Sequence, residues 1–428
     1  MSIVSETQPL PYRSLQTGQW VKLICGASYQ DMPTIRRLAM IYALAGVDCV
    51  DVAADGAVVA AARQGLADAQ VLAQRWARDG SAHQTPESGS RGIRHDLSQD
   101  LPWLMVSLND SEDPHFRKAY FDPAQCPPEC SRPCETLCPT QAIQFVAASP
   151  DHSASPDPSG VIPNLCYGCG RCIAVCPVQN IVAQAHRARP EDFPTEVLHQ
   201  VDAVEIHTQA GRQPEFLALW QRLKPWRKHL KLVSISCPDD PQIEAYLWDL
   251  YEIMAPLEIP LIWQTDGRPM SGDLGKGTTH AAIRLAQKVI AANLPGYVQL
   301  AGGTNHYTVP KLKELGLVAS HLPSKAEEAI LPQRNAVTPG PQNQQRIAGI
   351  AYGSYARSLV MPLLDQLDPM LPLLLETGGA GMSEASLSTI DRTEDLEDLK
   401  VVLDQARQLV GALKSRGKVY ASAEGRNP

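Results

Sequence analysis

The chain has 428 residues, of which 44% are hydrophobic and 20% are charged, and its formal net charge is -8 at pH 7. This length allows two or more domains, or one large barrel with an insertion. The acidic balance argues against nucleic acid as a main partner, and no apolar run approaches the roughly 20 residues of a membrane helix. Because the N-terminus is polar and lacks the hydrophobic segment of a secretory signal, we expect a cytoplasmic protein that is not integral to a membrane.

Three short apolar segments, separated by helical patterns, come first along the chain. The first 19 residues predict a loose tail, and residues 20–25, 47–53 and 103–108 predict buried strands. A helix is predicted over residues 31–45, because Asp31 and Pro33 are typical of a helix start and Gly46 of a helix end. Residues 56–77 predict a second, alanine-rich helix.

Two runs of four cysteines follow the third apolar segment, within residues 122–184. The second run has the spacing C-x2-C-x2-C-x3-C-P, which places three thiolates around one iron–sulfur cube and sends the fourth to a neighbouring cube. The first run is wider by one residue in each of its first two gaps, which leaves the stability of its cluster open. The runs consist of Cys126, Cys130, Cys134 and Cys138, then Cys166, Cys169, Cys172 and Cys176.

The spacing predicts two [4Fe-4S] clusters with crossed ligands, as in two-cluster ferredoxins. Disulfides would require an oxidising compartment, and structural zinc sites usually come as paired C-x2-C units instead of four-cysteine runs closed by proline. One cluster would be held by Cys126, Cys130, Cys134 and Cys176. The other would be held by Cys138, Cys166, Cys169 and Cys172.

Five more buried strands are predicted after the cysteines, at residues 201–207, 231–236, 260–264, 297–301 and 347–352, with helical stretches between them. Eight apolar strands alternating with helices predict a parallel α/β sheet. We therefore expect a (β/α)8 TIM-like barrel with a ferredoxin-like module inserted after its third strand. In this division, residues 1–121 and 185–428 form the barrel and residues 122–184 the module. An open doubly wound α/β sheet is the alternative.

Polar and small residues just past the strands would line one mouth of such a barrel. The turns Gly302-Gly303 and Gly353-Ser354 follow the seventh and eighth strands, where barrels often hold a phosphate, so flavin mononucleotide or a sugar phosphate is a candidate ligand. The alternative is that these glycines only make turns. Glu205, His207 and Lys276 are candidate polar contacts, and His207 is more typical of a hydrogen-bonding strand-end residue than of a general base. The three cysteines outside the runs are expected to be buried packing residues: Cys25, Cys49 and Cys237.

With these motifs in view, the chain resembles the cyanobacterial light-dependent period (LdpA) family. The resemblance lies in residues 20–55, in the two cysteine runs, in residues 264–289 (QTDGRPMSGDLGKGTTHAAIRLAQKV) and in residues 300–308 (LAGGTNHYT). It implies an iron–sulfur protein on the input side of the circadian clock. Such a protein would report the cellular redox state to the clock oscillator and its associated histidine kinases.

Two functions remain open from the sequence. The first is a redox-sensing or electron-relay protein without turnover of its own, exchanging electrons with ferredoxin or a quinone pool. The second is an iron–sulfur oxidoreductase, with or without flavin, whose site lies at the barrel mouth. A scaffold with purely structural clusters is a third and weaker interpretation. The family resemblance favours the sensor over the enzyme.

Overall fold

The fold is built on a closed barrel of eight parallel strands. A computed structural model describes residues 9–27, 29–78, 97, 100–111, 117–138, 140–145, 160–163, 165–166, 168–185, 195–267, 277–318, 346–364 and 392–414. The strands in these residues are β1 (Trp20–Gly26), β2 (Cys49–Ala53), β3 (Trp103–Asn109), β4 (Arg117–Tyr120), β5 (Ile143–Gln144), β6 (Gly160–Val161), β7 (Val182–Ala185), β8 (Ala203–His207), β9 (Leu232–Pro238), β10 (Leu261–Asp266), β11 (Tyr297–Ala301) and β12 (Gly349–Tyr352).

The helices of the described residues mostly follow the barrel strands. They are α1 (Leu10–Gln16), α2 (Met32–Ala45), α3 (Gly56–Arg78), α4 (Pro133–Thr136), α5 (Arg171–Val175), α6 (Thr195–Leu198), α7 (Gln213–Arg222), α8 (Ile243–Met254), α9 (His280–Ala291), α10 (Thr308–Glu314), α11 (Ser354–Leu364) and α12 (Arg392–Lys414). In this part of the chain, no helix combines the length and the apolar character needed to cross a membrane.

The ring of strands runs β1-β2-β3-β8-β9-β10-β11-β12 and closes on itself. Every neighbouring pair is parallel, and β1 meets β12 with Trp20 opposite Gly349. The (β/α)8 barrel is therefore confirmed, and the open doubly wound sheet is wrong. The helix predicted over residues 31–45 is also found, and it ends at Gly46, whose φ of 95° is the left-handed conformation that glycine adopts most readily.

The amino-terminal end of the barrel is filled by apolar side chains and covered by a helix. Tyr12 and Leu15 of α1 pack with the inward-facing side chains Trp20, Trp103 and Tyr297. The rings of Trp20 and Trp103 meet edge to face, with centroids 5.8 Å apart. The prediction of a loose tail is thus wrong for residues 10–16. The seven-residue helix is too short to show a periodic pattern, and it is stabilised by this tertiary contact.

The cysteine segment lies between β3 and β8, after the third barrel strand as expected. Its strands are antiparallel: β4 pairs with β7, and β5 pairs with β6. A small apolar cluster of its own contains Phe121, Ile143 and Ile181 together with Cys134 and Cys172. Because β4 begins at residue 117 and pairs with β7, residues 117–120 accompany the cysteine segment. The boundary expected at residue 122 stays a prediction.

A buried ion pair attaches the last helix to the amino-terminal face of the barrel. Lys414 Nζ lies 2.7 Å from Asp48 Oδ2, and both side chains are buried. The same carboxylate accepts a hydrogen bond from the backbone N–H of Val21 at 2.8 Å. Asp48 directly precedes β2, so the pair joins α12 to the start of two barrel strands.

We predict that Lys414→Met destabilises the protein by about 3–5 kcal/mol, because it leaves the Asp48 carboxylate buried without its cation. Urea unfolding followed by circular dichroism measures the change. Lys400→Met is the matched control, since Lys400 is exposed on the same helix, and its effect should stay within about 0.5 kcal/mol. Equal effects of the two substitutions would contradict the prediction.

Candidate metal centre and barrel interior

The two cysteine runs are built in the same way, although their spacings differ. Each contains a short helix that follows a residue in the left-handed conformation: α4 follows Arg132 (φ 52°) and α5 follows Gly170 (φ 73°). The third residue after the closing cysteine is also left-handed in both runs, at Gln141 (φ 51°) and Gln179 (φ 53°). The segment is therefore an internal repeat in its backbone, which the wider spacing of the first run hides at the level of sequence.

The repeat directs backbone N–H groups at the closing cysteines. Ala142 N donates to Cys138 Sγ at 3.2 Å, and Asn180 N donates to Cys176 Sγ at 3.3 Å. In both cases the donor is the fourth residue after the cysteine. Such N–H···S bonds stabilise a thiolate and tune a metal centre bound to it.

One set of four cysteines surrounds a common cavity, as the crossed arrangement predicts. The first run contributes its last cysteine to this cavity and the second run contributes its first three. Ala119 N also donates to one of these sulfurs, Cys166 Sγ, at 3.4 Å. The set is Cys138, Cys166, Cys169 and Cys172.

The second set is brought together in part. Cys134 lies close enough to Cys126 and to Cys176, the last cysteine of the other run, to interact electrostatically with both. The side-chain amide of Asn180 donates to Cys126 Sγ at 3.6 Å and to the Asp122 carbonyl at 2.8 Å. Cys130, the fourth expected member, is half-buried and does not belong to the packed cluster that contains the others.

These residues fit an iron–sulfur centre in chemistry as well as in placement. Burial raises the pKa of Cys172 to about 12 and also raises that of Cys134 and Cys169. Thiols in such surroundings become thiolates only with a cation beside them, which bound iron supplies. Among the described residues, no three His, Cys, Asp or Glu side chains converge as closely as the ligands of one ion do. The four thiols of the first set instead line the walls of a cavity.

A second group of candidate functional side chains occupies the middle of the barrel. There the inward-facing residues are polar, although the cores of such barrels are usually filled by branched apolar side chains. They come from seven strands and are all buried: Lys22, Asp51, Ser107, Glu205, Ser234, Gln264 and Gln299. Sequence reasoning identified Glu205 in this group but missed Lys22 and Asp51.

Lys22 and Glu205 form the centre of this group. Lys22 Nζ contacts Glu205 Oε2 directly and lies 3.7 Å from Asp51 Oδ2. Glu205 also accepts hydrogen bonds from Ser234 Oγ at 2.8 Å and Gln264 Nε2 at 2.7 Å. Burial alone would raise the pKa of Glu205, but the Lys22 ammonium and the other donors hold it well below its usual range. Glu205 is therefore a carboxylate at neutral pH.

His207 stands above this centre, at the carboxyl end of β8. Its Nε2 lies 3.2 Å from Glu205 Oε1. Nε2 carries the hydrogen that it donates to this carboxylate, so Nδ1 is the ring nitrogen that can accept a proton. This confirms His207 as a hydrogen-bonding strand-end residue, and the Glu–His arrangement is also the one that orients a general base.

Asp51 is a second carboxyl group inside the barrel. Burial raises its pKa to about 7, with Lys22 opposing the shift and Glu205 adding to it. Ser107 Oγ lies 2.9 and 3.0 Å from the two carboxylate oxygens. Small pH changes around neutrality therefore alter the charge of the barrel interior.

The two candidate phosphate turns pack against their own surroundings. Gly302 and Gly303 have φ of 69° and 87°. Thr278 Oγ1 donates to the Gly303 carbonyl at 2.7 Å. A Cβ added to Gly303 would lie only 2.5 Å from the backbone carbonyl oxygen of Thr278. At the other turn, Arg357 Nη2 donates to Ser354 Oγ at 3.0 Å. A Cβ added to Gly353 would lie 3.9 Å from Arg357 Nη1, which is an ordinary contact distance. These contacts give Gly303 a packing role, and a phosphate or flavin role for either turn stays a prediction.

The remaining sequence candidates fall into two classes. Lys276 lies outside the described residues. The three cysteines outside the runs are buried, as expected of packing residues: Cys25, Cys49 and Cys237.

Comparison with known proteins adds to this geometry. Residues 126–187 match the family model described as the LdpA Fe-S cluster-binding domain, and residues 197–411 match that of the light dependent period A C-terminal domain. A curated relative, light dependent period A of Synechococcus elongatus, is 47% identical over 361 residues, which cover 84% of this chain and 85% of the relative.

The pKa of Asp51 predicts how stability depends on pH. Since its folded-state pKa is about 7, the folded protein keeps a proton that the unfolded chain has released above about pH 4. Asp51 therefore contributes less to the unfolding free energy as pH rises from 4 through 7, and its contribution is constant above that. The wild-type unfolding free energy should therefore fall between pH 5 and pH 8. We predict that Asp51→Asn makes this fall smaller by about 2–3 kcal/mol.

Urea unfolding of the wild type and the variant at both pH values tests this dependence. Asp239→Asn is the control, because Asp239 is an exposed carboxylate paired with Lys288 on the surface, and it should keep the wild-type dependence. If Asp51→Asn also kept it, the assigned protonation of Asp51 would be wrong.

Proposed function

Because this chain belongs to the light dependent period A family, we propose that it is an iron–sulfur protein of light-dependent clock input that binds two [4Fe-4S] clusters and acts as a redox sensor or electron relay. The observation that carries the proposal is the crossed grouping of the cysteines. The cavity set takes its fourth thiol from the first run, and Cys176 of the second run neighbours Cys134 of the first. Exchange of the last cysteine between two runs is the ligand pattern of paired four-iron clusters.

The chain's own residues would set the properties of these centres. When bound, [4Fe-4S] clusters supply one-electron transfer. The backbone donors Ala119, Ala142 and Asn180 would stabilise negative charge on the sulfurs, and the apolar side chains Phe121 and Ile143 exclude water from one side. The half-buried members of both sets leave the other side near solvent, where an electron partner can approach.

The partners in this proposal follow from the family. The name of the relative refers to a light-dependent period, which supports a clock connection for this chain. We propose the clock oscillator and its associated histidine kinases as readers of the cluster state, and ferredoxin or a quinone as electron source. The division into a barrel (residues 1–121 and 185–428) and a module (residues 122–184) belongs to the same proposal.

An oxidoreductase is the second candidate function, and the barrel interior favours it. Lys22, Asp51 and Glu205 come from three strands and meet inside the barrel, with His207 above them. In barrel enzymes, catalytic groups come from the carboxyl ends of several strands. In this function, Glu205 would orient His207 to exchange a proton with a substrate at the mouth. Gly302, Gly303, Gly353 and Ser354 would hold a flavin, which would supply electron transfer between a substrate and the clusters.

Anaerobic purification, with iron and sulfide counting and EPR before and after dithionite, tests the two candidates together. About eight iron atoms per chain without flavin absorbance supports the sensor or relay. A flavin band beside the cluster absorbance would favour the enzyme. About four iron atoms would mean that the widened first run does not hold its cluster, and fewer than one would refute the proposed centres.

We predict that Asn180→Leu lowers the midpoint potential of one cluster by roughly 20–60 mV. The substitution removes the side-chain amide that donates to Cys126 Sγ, and a hydrogen bond to a cluster sulfur favours the more negative, reduced form. EPR-monitored potentiometry measures the shift. The control is Gln144→Leu, which lies beyond Ala142 in the other half of the repeat and should leave both midpoints unchanged. An equal shift in the control would contradict the assigned role of Asn180.

A further inference from the structure

The strand β4 lies between the cysteine cavity and the barrel. Ala119 N donates to Cys166 Sγ at 3.4 Å, and both residues line the cavity. The Arg117 carbonyl oxygen occupies the place where a Cβ of Gly168 would stand, 2.0 Å from its ideal position. The backbone of β4 is thus fixed directly against the second cysteine run.

Lys118, which lies between Arg117 and Ala119 in β4, brings a buried positive charge to the same contact with the second cysteine run. Its side chain is only 7% exposed. Its ammonium donates to the Pro163 carbonyl at 2.7 Å and to Gln30 Oε1 at 2.9 Å. Asp55 and, once it is a thiolate, Cys166 interact electrostatically with this ammonium. One cation therefore lies next to a cluster-binding cysteine and holds a side chain of the barrel.

The barrel side of this contact is the carboxyl-terminal mouth. Gln30 follows β1, and its Nε2 lies 3.5 Å from Asp55 Oδ2, just after β2. Asp55 in turn accepts hydrogen bonds from Ala57 N at 2.9 Å and Val58 N at 3.1 Å, at the start of α3. Polar contacts thus run from Lys118 to two loops of the mouth, while the next residue in β4, Ala119, contacts Cys166.

The set that contains Cys126, Cys134 and Cys176 is contacted by a neutral side chain instead of a cation. There the side chain that reaches a cysteine sulfur is the neutral amide of Asn180, and its second partner, the Asp122 carbonyl, belongs to the module. The two centres are therefore not equivalent, although their backbones repeat.

We propose that Lys118 is a positioning residue that couples the redox state of the centre held by Cys138, Cys166, Cys169 and Cys172 to the barrel mouth. The proposal rests on the proposed iron–sulfur function. An electron added to this set strengthens the attraction on the Lys118 ammonium, and burial keeps that attraction strong. Lys118 therefore favours the reduced form. Its hydrogen bond to Gln30 weakens as it is drawn to the cysteine side, which changes the loops after β1 and β2.

Potentiometry on the purified, cluster-loaded protein tests the electrostatic part. We expect Lys118→Met to lower the midpoint potential of one centre by about 59 mV, which corresponds to a tenfold smaller equilibrium constant for one-electron reduction. Lys118→Arg keeps the charge and should restore the midpoint. Lys231→Met removes an exposed surface lysine and should change neither midpoint. The centre that responds should differ from the one that Asn180→Leu shifts.

Hydrogen exchange of the oxidised and the reduced protein tests the coupling. Reduction should alter exchange at residues 29–31 and 55–58 in the wild type. The difference should disappear in Lys118→Met, and also in Gln30→Ala, which keeps the cation. Because coupling is reciprocal, loss of a hydrogen bond that weakens on reduction should raise the midpoint in Gln30→Ala, whereas Lys118→Met lowers it. A purely structural Lys118 would give altered exchange in both redox states and no shift of a midpoint.

The outcomes separate this proposal from the function on which it rests. A wild-type protein that assembles no cluster overturns the proposed function. Unchanged midpoints in a loaded Lys118→Met protein overturn the role of Lys118 alone. If Lys118→Met does not retain iron, the exchange comparison between wild type and Gln30→Ala decides, and an equal redox response in both overturns the coupling.

Discussion

The parallel closure of the barrel is the constraint on which the rest of the structure depends. When eight strands run in one direction, all their carboxyl ends and the loops after them meet on one face. That geometry brings Lys22, Asp51 and Glu205 together from three strands that are distant in sequence. It also places the loops after β1 and β2 beside the cysteine module, which leaves the barrel after β3 and therefore starts from the same face.

The barrel interior departs from what stability alone would favour. A buried lysine between two carboxyl groups loses much of its hydration, and well-packed apolar residues in its place are often as stabilising or more so. Here the apolar filling is confined to the amino-terminal layer around Trp20 and Trp103, while the polar layer lies toward the mouth. Polar side chains in that position are what a binding or proton-exchanging site requires, and the apolar layer beneath stabilises the barrel around them.

The sequence predicted those features whose signal is local. Cysteine spacing identified the segment that matches an Fe-S cluster-binding domain, and the alternation of apolar strands with helices predicted the barrel. The missed features depend on contacts between distant residues: Lys22 and Glu205 are 183 positions apart, and Lys118 meets Gln30 across 88. A single charged residue inside the apolar segment WVKLIC was the available signal for Lys22. For α1, seven residues carry too little pattern, because its helical state depends on packing over the barrel.

The two ends of the described chain lie on the same side of the molecule. The helix α1 covers the amino-terminal face, and Lys414 at the end of α12 is bound to Asp48 on that face. The cysteine module and the loops it contacts belong to the opposite face. A tether that joins the protein at residue 9 or residue 414 would therefore approach from behind the barrel, so the protein can be immobilised from that side while its cysteine module faces away from the support.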